Sequence, residues 1–299
     1  MLVFESHLLE KFFKIKCESR GARVGFARLK FNDHVTDARK LWGKFLTSDG
    51  KSLSPRITAK YFYQLVCKAV AAMRVAQRRR ISKVKWSGTA VTLTIDGIID
   101  LDLVLSVEIS GWPNCACAWG DNASNKTWPT ERQVEQIKIE KGKVHLVAKP
   151  CPAERGVPFE SQEYWRISFS EAEKMILRPA SSGCEKKYYR IAKAIFEARK
   201  EDLKPLSSYH LKTLFLHLRR ESPQARSDDS NLGESVVKFF ASLIDRLKKG
   251  QLPHFFVGPR ADLFSEMSGR TRTNLACKLE YFLNKLVENP GEFLRGLNI

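Results

Sequence analysis

Residues 89–108 read TAVTLTIDGIIDLDLVLSVE, and the rest of the chain is organised around this stretch. Two runs rich in β-branched and other apolar residues flank Asp96-Gly97, and an Asp-Gly pair between such runs is a strong short-range signal for a β-hairpin. The first part of the second strand, up to Leu105, is apolar except for Asp100 and Asp102, which are two residues apart and therefore project from the same face. The sequence predicts a hairpin whose second strand carries a pair of carboxylates.

This carboxylate pair has two interpretations. A carboxylate inside a buried strand costs several kcal/mol unless it is paired or binds a metal ion. We therefore expect Asp100 and Asp102 to belong to a metal site. The alternative is structural, with Asp100 solvated where the strand begins and Asp102 paired with a buried arginine or lysine.

The charge of the chain favours an anionic partner. The 299 residues include 51 lysines and arginines against 33 aspartates and glutamates, a formal net charge of +18. Such an excess suits nucleic acid, nucleotide phosphates or an acidic membrane surface, although a generally basic protein without any such partner has the same composition. The hydrophobic fraction of 43% supports packed cores, and the length fits two domains of about 150 residues.

The cysteines and the amino terminus bear on location. The seven cysteines are odd in number and include no Cys-x-x-Cys, which fits reduced thiols in a cytosolic or nuclear protein. Cys115 and Cys117 form the only close pair, and we expect no zinc because structural zinc sites usually need two such pairs. The chain starts without a signal-peptide pattern and has no apolar run near the ~20 residues that span a bilayer, so no membrane association is expected.

The order of predicted elements indicates an α+β fold. Strands are expected at residues 1–4, 23–31, 89–108 and 143–149, and a long helix is expected from Pro55, capped by Ser54, to about Gln77. After a linker at 150–163 only helical patterns are found. They begin at Ser168 or Ser170 and continue at residues 184–200, 206–219, 232–249 and 275–289. This predicts a sheet lobe at 1–155 and an all-helical lobe at 156–299.

The end of the predicted long helix is strongly basic, with six cations within twelve residues and no acid among them. This basic run comprises Arg74, Arg78, Arg79, Arg80, Lys83 and Lys85. One interpretation is a solvated helix end, where positive charge also suits the helix dipole. The other is a patch that contacts the phosphate backbone of a nucleic acid.

Several segments together resemble the cGAS–Mab-21 family of nucleotidyltransferase-fold proteins. The segments are AVTL at 90–93, IDLDLVLSVE at 99–108, Trp112-Pro113, WRISFSEAEK at 165–174, LSSYHLKT at 206–213, LPHFF at 252–256 and DLF at 262–264. They occur in family order from about residue 23 onwards. The resemblance rests on the whole set, because each motif alone is weak.

The resemblance implies a nucleotidyltransferase-fold mixed sheet with a long spine helix, followed by an HhH-like helical lobe, with ATP and GTP as substrates. In active members three acids hold two Mg²⁺ or Mn²⁺ ions that clamp the attacking hydroxyl and the triphosphate, and Asp102 matches the third acid. Other family positions imply nucleotide contacts, in which cations hold phosphate and an aromatic ring stacks on a base. They are Lys149, Arg166, Ser168, Lys193, Ser208 and Tyr209. Ordinary packing at a helix start is the alternative for Tyr209.

One departure leaves catalysis open. The family's first two acids form a Glu-x-Asp after a Gly-Ser turn, and the 299 residues contain neither pattern. Met1–Glu5 resembles what should come just after the missing pair, and Asp100 offers a partial substitute for it. Either the chain is an amino-terminally truncated enzyme or it is a non-catalytic member that binds a nucleotide or a partner.

The resemblance also bears on the activator. Active relatives of this type are innate-immune receptors that make a cyclic dinucleotide when nucleic acid binds. The vertebrate DNA sensor carries a zinc insertion of one histidine and three cysteines, of which only Cys184 is present here. Invertebrate-type receptors without the insertion favour double-stranded RNA over DNA, gripped by shape and phosphate contacts. We expect a monomer or a weak ligand-induced dimer.

Overall fold

A computed structural model gives the structure of residues 2–4, 11–17, 24–32, 34, 38–124, 126–141, 143–149, 163–177, 183–222 and 231–297. The chain divides into two compact units, one formed by Met1–Cys115 with Ile137–Glu173, the other by Ala116–Gln136 with Lys174–Ile299. The linker and domain boundary predicted near residue 155 fall on residues outside these described ranges, and the boundary stays a prediction.

The first unit is built on an eight-stranded sheet. In chain order the strands are β1 (Leu2–Phe4), β2 (Phe13–Cys17), β3 (Phe26–Phe31), β4 (Ile81–Trp86), β5 (Ala90–Ile95), β6 (Ile99–Ile109), β7 (Val144–Val147) and β8 (Tyr164–Ser168). Their order across the sheet is β2-β3-β8-β7-β6-β5-β4, and β1 pairs with β6. The β1–β6 pair is parallel, whereas the other pairs are antiparallel. Strand β2 is absent from the sequence prediction, because its surroundings show no clear alternation.

The predicted hairpin is confirmed. Ile95 lies opposite Ile99 in the β5–β6 register, and the Ile98 N–H donates to the Ile95 carbonyl at 3.0 Å. Between them, Asp96 has φ of 52° and Gly97 has φ of 73°. Two consecutive positive φ angles define the turn whose twist matches that of the flanking strands, and Asp-Gly is favoured there because few other residues tolerate both.

Replacing Gly97 with alanine should destabilise the first unit by about 1 kcal/mol, because a Cβ disfavours the left-handed backbone that the turn requires. A Cβ at Gly97 meets no atom within 4 Å, so the cost is conformational rather than steric. Gly43→Ala is the matched control, since a Cβ there also meets nothing and φ is not positive. Urea unfolding monitored by circular dichroism measures both variants. Equal midpoints for the two would contradict the turn geometry.

The long helix begins where the sequence predicts and ends earlier. We number the helices in chain order as α1 (Ala38–Trp42), α2 (Pro55–Ala72) and α3 (Val75–Arg78). The Ser54 hydroxyl accepts a hydrogen bond from the Ile57 N–H at 3.2 Å, which confirms the predicted cap. The predicted end at Gln77 is wrong, since Met73 is extended with ψ of 152°.

Packing explains the early end of α2. The helix covers one face of β4 and β5 through a cluster that includes Val66, Val70, Val91 and Leu93, and residues 71–80 beyond it are exposed. Helices in proteins are held mainly by such packing, so the backbone has little reason to stay helical past it. Leu65 of α2 lies outside this cluster and is 44% exposed.

The prediction that no strand follows residue 150 is wrong. Strand β8 pairs with β7 on one side and with β3 on the other, so it lies inside the sheet. Its side chains alternate, with Trp165 and Ile167 fully buried and Arg166 half-buried. The helix predicted from Ser168 or Ser170 does begin at Ser170. The second unit also contains a short hairpin, β9 (Pro253–His254) with β10 (Gly258–Asp262).

The second unit is mainly helical. Its helices are α4 (Glu131–Glu135), α6 (Gly183–Ala198), α7 (Ser208–Glu221), α8 (Leu232–Lys249), α9 (Gly269–Glu288) and α10 (Pro290–Arg295). A π-helical turn at Gln136–Lys141 follows α4 and is assigned to the first unit from Ile137 onwards, and α5 (Ser170–Leu177) passes from the first unit to the second after Glu173. Phe196, Leu214, Phe239 and Phe264 anchor its core. The predicted α+β class with a helical carboxyl-terminal region is confirmed. Among the described helices, none is both long and apolar enough to cross a bilayer.

Candidate functional site

The two aspartates of β6 are exposed, so the prediction that they lie inside a buried strand is wrong. Residues 99–102 of β6 are exposed, and burial begins at Leu105. The reason lies in the sheet order. Within the described residues, the first half of β6 pairs only with β5, whereas β1 and β7 join from Leu105 and Ser106 onwards. The carboxylates of Asp100 and Asp102 therefore keep access to water and to ligands.

Each aspartate accepts a hydrogen bond from a threonine directly across the hairpin. Thr92 Oγ1 donates to Asp102 Oδ1 at 2.6 Å, and Thr94 Oγ1 donates to Asp100 Oδ1 at 2.7 Å. These bonds fix the orientation of both carboxylates. Among the described residues no further hydrogen bond or ion pair reaches either aspartate, so Oδ2 of each is available to a ligand.

Two lysines complete the rows formed by these pairs. In the β4–β5 register Lys83 lies opposite Thr94 and Lys85 lies opposite Thr92. Directly opposed residues of paired strands project from the same face of a sheet. One exposed face therefore carries a row of Lys83, Thr94 and Asp100 beside a row of Lys85, Thr92 and Asp102; we call it the aspartate face. The sequence assigned the two lysines to a nucleic-acid patch without placing them beside the carboxylates.

The same side of the sheet continues across β7 to β8. Ser106 of β6 lies opposite Val147 of β7, which lies opposite Arg166 of β8. Because alternate residues of β6 share a face, Asp102 and Ser106 project to the same side as Arg166. By the same register Glu108, His145 and Ser168 follow on this side. The structure thus places the predicted site residues Asp100, Asp102, Arg166 and Ser168 on one face of the sheet.

Other predicted nucleotide contacts lie elsewhere along the chain. Lys149 is exposed two residues after β7 ends. Lys193 is exposed on α6 of the second unit, and Ser208 is the first residue of α7. These assignments stay predictions.

Tyr209 is held by a histidine of the second unit. Its hydroxyl lies 2.9 Å from His254 Nε2. His254 Nδ1 accepts hydrogen bonds from the backbone N–H groups of Phe256 and Val257 at 3.2 and 3.3 Å, so the ring proton is on Nε2 and points to Tyr209. The half-buried Tyr209 ring therefore has a fixed orientation, and its predicted role of stacking on a base stays a prediction.

The basic run is not the end of one helix. Arg74 precedes the short helix α3, Arg78 ends it, and Lys83 and Lys85 are on β4, although all six cations are exposed as expected. Arg80 forms a bidentate ion pair with Asp96, in which Nε donates to Oδ1 at 3.2 Å and Nη2 donates to Oδ2 at 2.7 Å. This hydrogen bonding lowers the pKa of the Asp96 carboxyl. Within the described residues the other five cations have no ion-pair partner.

Comparison with protein-family models shows what both parts of the chain are similar to. A model of the Mab-21 protein nucleotidyltransferase domain matches residues 7–179, and a model of the Mab-21 protein HhH/H2TH-like domain matches residues 184–281. The chain belongs to the Mab-21 family. The aspartate face and Arg166 lie in the range matched by the Mab-21 nucleotidyltransferase domain, while Lys193 and Tyr209 lie in the range matched by the Mab-21 HhH/H2TH-like domain. The resemblance found in the sequence is confirmed.

The Mab-21 nucleotidyltransferase domain belongs to a class that generally uses a divalent metal and nucleotide substrates, and the aspartate face fits part of that requirement. Mg²⁺ is commonly held by one or two carboxylates, with waters and substrate phosphates completing its shell. Asp102 and Asp100 each offer Oδ2 for such a bond. The described residues contain no group of three or more histidine, cysteine, aspartate or glutamate side chains placed to hold a metal. The aspartate face therefore fits a metal site to which further acids contribute. By itself it does not form a complete three-acid site.

Sequence reasoning missed Thr92 and Thr94 in this Mab-21 chain. A two-residue Asp-Gly loop by itself would pair Ile95 with Ile98. The structure pairs Ile95 with Ile99 instead, so Thr94 falls opposite Asp100 and Thr92 opposite Asp102. The two threonines are therefore identified by the observed register and not by the turn alone.

Proposed function

We propose that a form of this Mab-21 protein that carries Gly-Ser and Glu-x-Asp, here called the catalytically complete form, joins ATP and GTP into a cyclic dinucleotide. It does so when double-stranded nucleic acid binds. The observation that carries the proposal is the sheet register that sets Asp102, Arg166 and Ser168 on one face. Asp102 holds Mg²⁺, Arg166 supplies a fixed cation to phosphate, and Ser168 donates a hydrogen bond to the acceptor nucleotide. The metal, when bound, neutralises the developing phosphate charge and activates the attacking hydroxyl.

The parallel strand β1 supports a shared metal site. Leu2 lies opposite Leu105 and Phe4 opposite Val107. Because the two strands run in the same direction, a continuation of β1 before Leu2 would run beside the first half of β6, towards Asp102. The proposal requires a Glu-x-Asp segment in that continuation, with its acids in the same alternation as Asp102 so that they share the aspartate face.

The remaining nucleotide contacts are those that the family resemblance implies in each unit separately. In the first unit Lys149 supplies positive charge to a phosphate. In the second unit Lys193 supplies positive charge, Ser208 a hydroxyl, and Tyr209 an aromatic face for a base. The hydrogen bond from His254 orients that face in advance, which lowers the entropy cost of stacking.

Incubation with labelled nucleotides tests the proposal. Residues 1–299 and a version extended by the residues encoded upstream of Met1 are each given ATP and GTP, with Mg²⁺ or Mn²⁺ and duplex RNA or DNA. We expect a cyclic product only from an extended version that carries Gly-Ser and Glu-x-Asp. If such a version binds both nucleotides and yields no product with either nucleic acid, the proposed activity is wrong.

A second candidate is a non-catalytic Mab-21 protein that binds a nucleotide or a partner. It is favoured by the finding that the described residues hold no three-acid metal cluster. Calorimetric titration of residues 1–299 with ATP, in Mg²⁺ and in EDTA, separates the two candidates. Affinity that is unaffected by EDTA and by Asp102→Asn, without turnover in any version, supports the second candidate.

Nucleic-acid binding through the basic run predicts a specific salt dependence. Each phosphate neutralised on a duplex contributes about 0.9 to the slope of log K against log salt. We therefore expect Arg78→Gln with Arg79→Gln to reduce that slope by about 1.8 and to weaken binding at low salt by roughly ten- to a hundredfold. Arg80→Gln should have a smaller effect, because Arg80 is engaged with Asp96. Fluorescence anisotropy with duplex RNA and DNA measures the slopes, and an unchanged slope in the double variant rules this surface out.

A further inference from the structure

A separate cleft lies wholly within the second unit. It has a volume of about 670 Å³ and is walled by the 116–129 loop, the end of α7, Arg246 of α8 and the 253–260 segment. Clefts of about 300–1,000 Å³ are typical of sites for small molecules. None of the site residues predicted from the sequence lines it. The cleft therefore shares no residue with the aspartate face.

Arginines dominate the charge of this cleft. Arg220, Arg246 and Arg260 line it together with the acids Asp121 and Glu221. Glu221 is engaged by Arg246 in an ion pair. Arg220 makes no ion pair with a carboxylate of the described residues. Its guanidinium lies 5.3 Å from the centre of the Phe255 ring and donates through Nη2 to His217 Nδ1 at 3.3 Å. One of its five N–H donors is used in this way.

His217 holds Arg220 without neutralising it. His217 lies 2.7 Å through Nε2 from the Pro253 carbonyl, so its proton is on Nε2 and Nδ1 is left as an acceptor for Arg220. Burial lowers the pKa of His217, so the imidazole is uncharged near neutral pH. Burial also lowers the pKa of Arg220, because part of its charge has lost water. The arginine is thus oriented by an uncharged partner and keeps both its charge and most of its donors.

We propose that this cleft binds a small phosphorylated molecule whose phosphate is held by Arg220 and the neighbouring Arg246. A guanidinium matches two phosphate oxygens with parallel N–H donors, and a doubly charged phosphate suits two adjacent arginines of which only one has an acidic partner. The cleft volume leaves room for an organic group beside the phosphate. The Phe255 ring supports the Arg220 guanidinium from one side.

Metal-free titration distinguishes this site from the aspartate face. Residues 1–299 are titrated calorimetrically, in EDTA, with inorganic phosphate, pyrophosphate and AMP, and with citrate as a carboxylate control. We expect saturable binding of at least one phosphate probe, stronger than that of citrate. Arg220→Gln should weaken it at least tenfold and Asp102→Asn should leave it unchanged. The proposed nucleotidyl transfer can fail without affecting this result, since that reaction needs the metal.

Arg270→Gln is the matched control, because it removes the same charge from an exposed arginine of the same unit outside the cleft. Arg220→Lys keeps the charge but removes the paired N–H donors of the guanidinium, so we expect a loss of phosphate binding smaller than that of Arg220→Gln. Urea unfolding midpoints establish that both Arg220 variants are folded. The proposal is overturned if no phosphate probe binds saturably, if citrate binds as tightly, or if Arg270→Gln weakens binding as much as Arg220→Gln.

Discussion

Replacing Asp102 with asparagine should lower nucleotidyl transfer by the catalytically complete protein by about a hundred- to a thousandfold. A metal ion supplies several kcal/mol of transition-state stabilisation, and each 1.36 kcal/mol is worth a factor of ten in rate. Asparagine keeps an oxygen that can accept the hydrogen bond from Thr92, so the variant loses the charge that binds the metal while the hairpin is retained. Initial rates at saturating nucleotide, measured across a range of Mg²⁺ and Mn²⁺ concentrations, give the effect.

Asp100→Asn is the matched control for this experiment. Asp100 has the same exposure, the same kind of threonine partner and a position one row away on the same face. We expect a smaller loss, because Asp102 matches the family acid and Asp100 does not. Equal losses would show that the two carboxylates act as one unit. Full activity in Asp102→Asn would remove this residue from the mechanism.

Replacing Trp165 with alanine should cost about 3–5 kcal/mol of the unfolding free energy of the first unit, the range for truncating a fully buried large aromatic residue. Trp165 is 0% exposed, and its Nε1–H donates to the Leu53 carbonyl at 2.9 Å. It is on β8 between two neighbouring strands, with Ala27 of β3 directly opposite. Loss of its side chain therefore loosens the strand that carries Arg166 and Ser168 on the other face. Urea unfolding followed by circular dichroism gives the change.

Trp165→Phe separates packing from hydrogen bonding at this position. Phenylalanine keeps most of the apolar contact but leaves the Leu53 carbonyl without its indole donor, at a cost of about 1–3 kcal/mol. We expect this variant to lie between the native protein and Trp165→Ala. A loss below about 1 kcal/mol in Trp165→Ala would mean that β8 is not held by this contact.

The sequence was most informative where local chemistry decides the backbone. Ser54-Pro55 marks the start of α2 and Asp96-Gly97 marks the hairpin turn, because a cap and a positive φ each depend on one or two residues. The amphipathic pattern of α8 gives both of its ends at Leu232 and Lys249. Strand β8 was missed because its neighbour β3 is more than 130 residues away in the chain, and because the helix-start residues that follow it dominate the local pattern.

At the candidate site, residue types could be predicted from the sequence but their exposure could not. The residue types on β6 made Asp102 a candidate site residue, and the family resemblance implied a metal-binding role for it, which stays a prediction. Its exposure could not be predicted, because it depends on which strands flank the first half of β6. The cleft around Arg220 is lined by four segments, 116–129, the end of α7, Arg246 of α8 and 253–260. Only the last overlaps a recognised motif, LPHFF at 252–256, and that motif alone does not indicate a cleft.

The interleaving of the two units constrains how this protein can be dissected. Residues 116–136 belong to the second unit although both neighbouring segments belong to the first. Within that insertion Trp119 packs on Phe256 with ring centres 4.9 Å apart, and Trp128 lies 4.3 Å beneath the Arg219 guanidinium. A fragment cut at Lys174, or trimmed to the matched range 184–281, discards both indoles and uncovers the phenylalanines they shield. Soluble expression of the helical half on its own therefore calls for the 116–136 peptide to be grafted back.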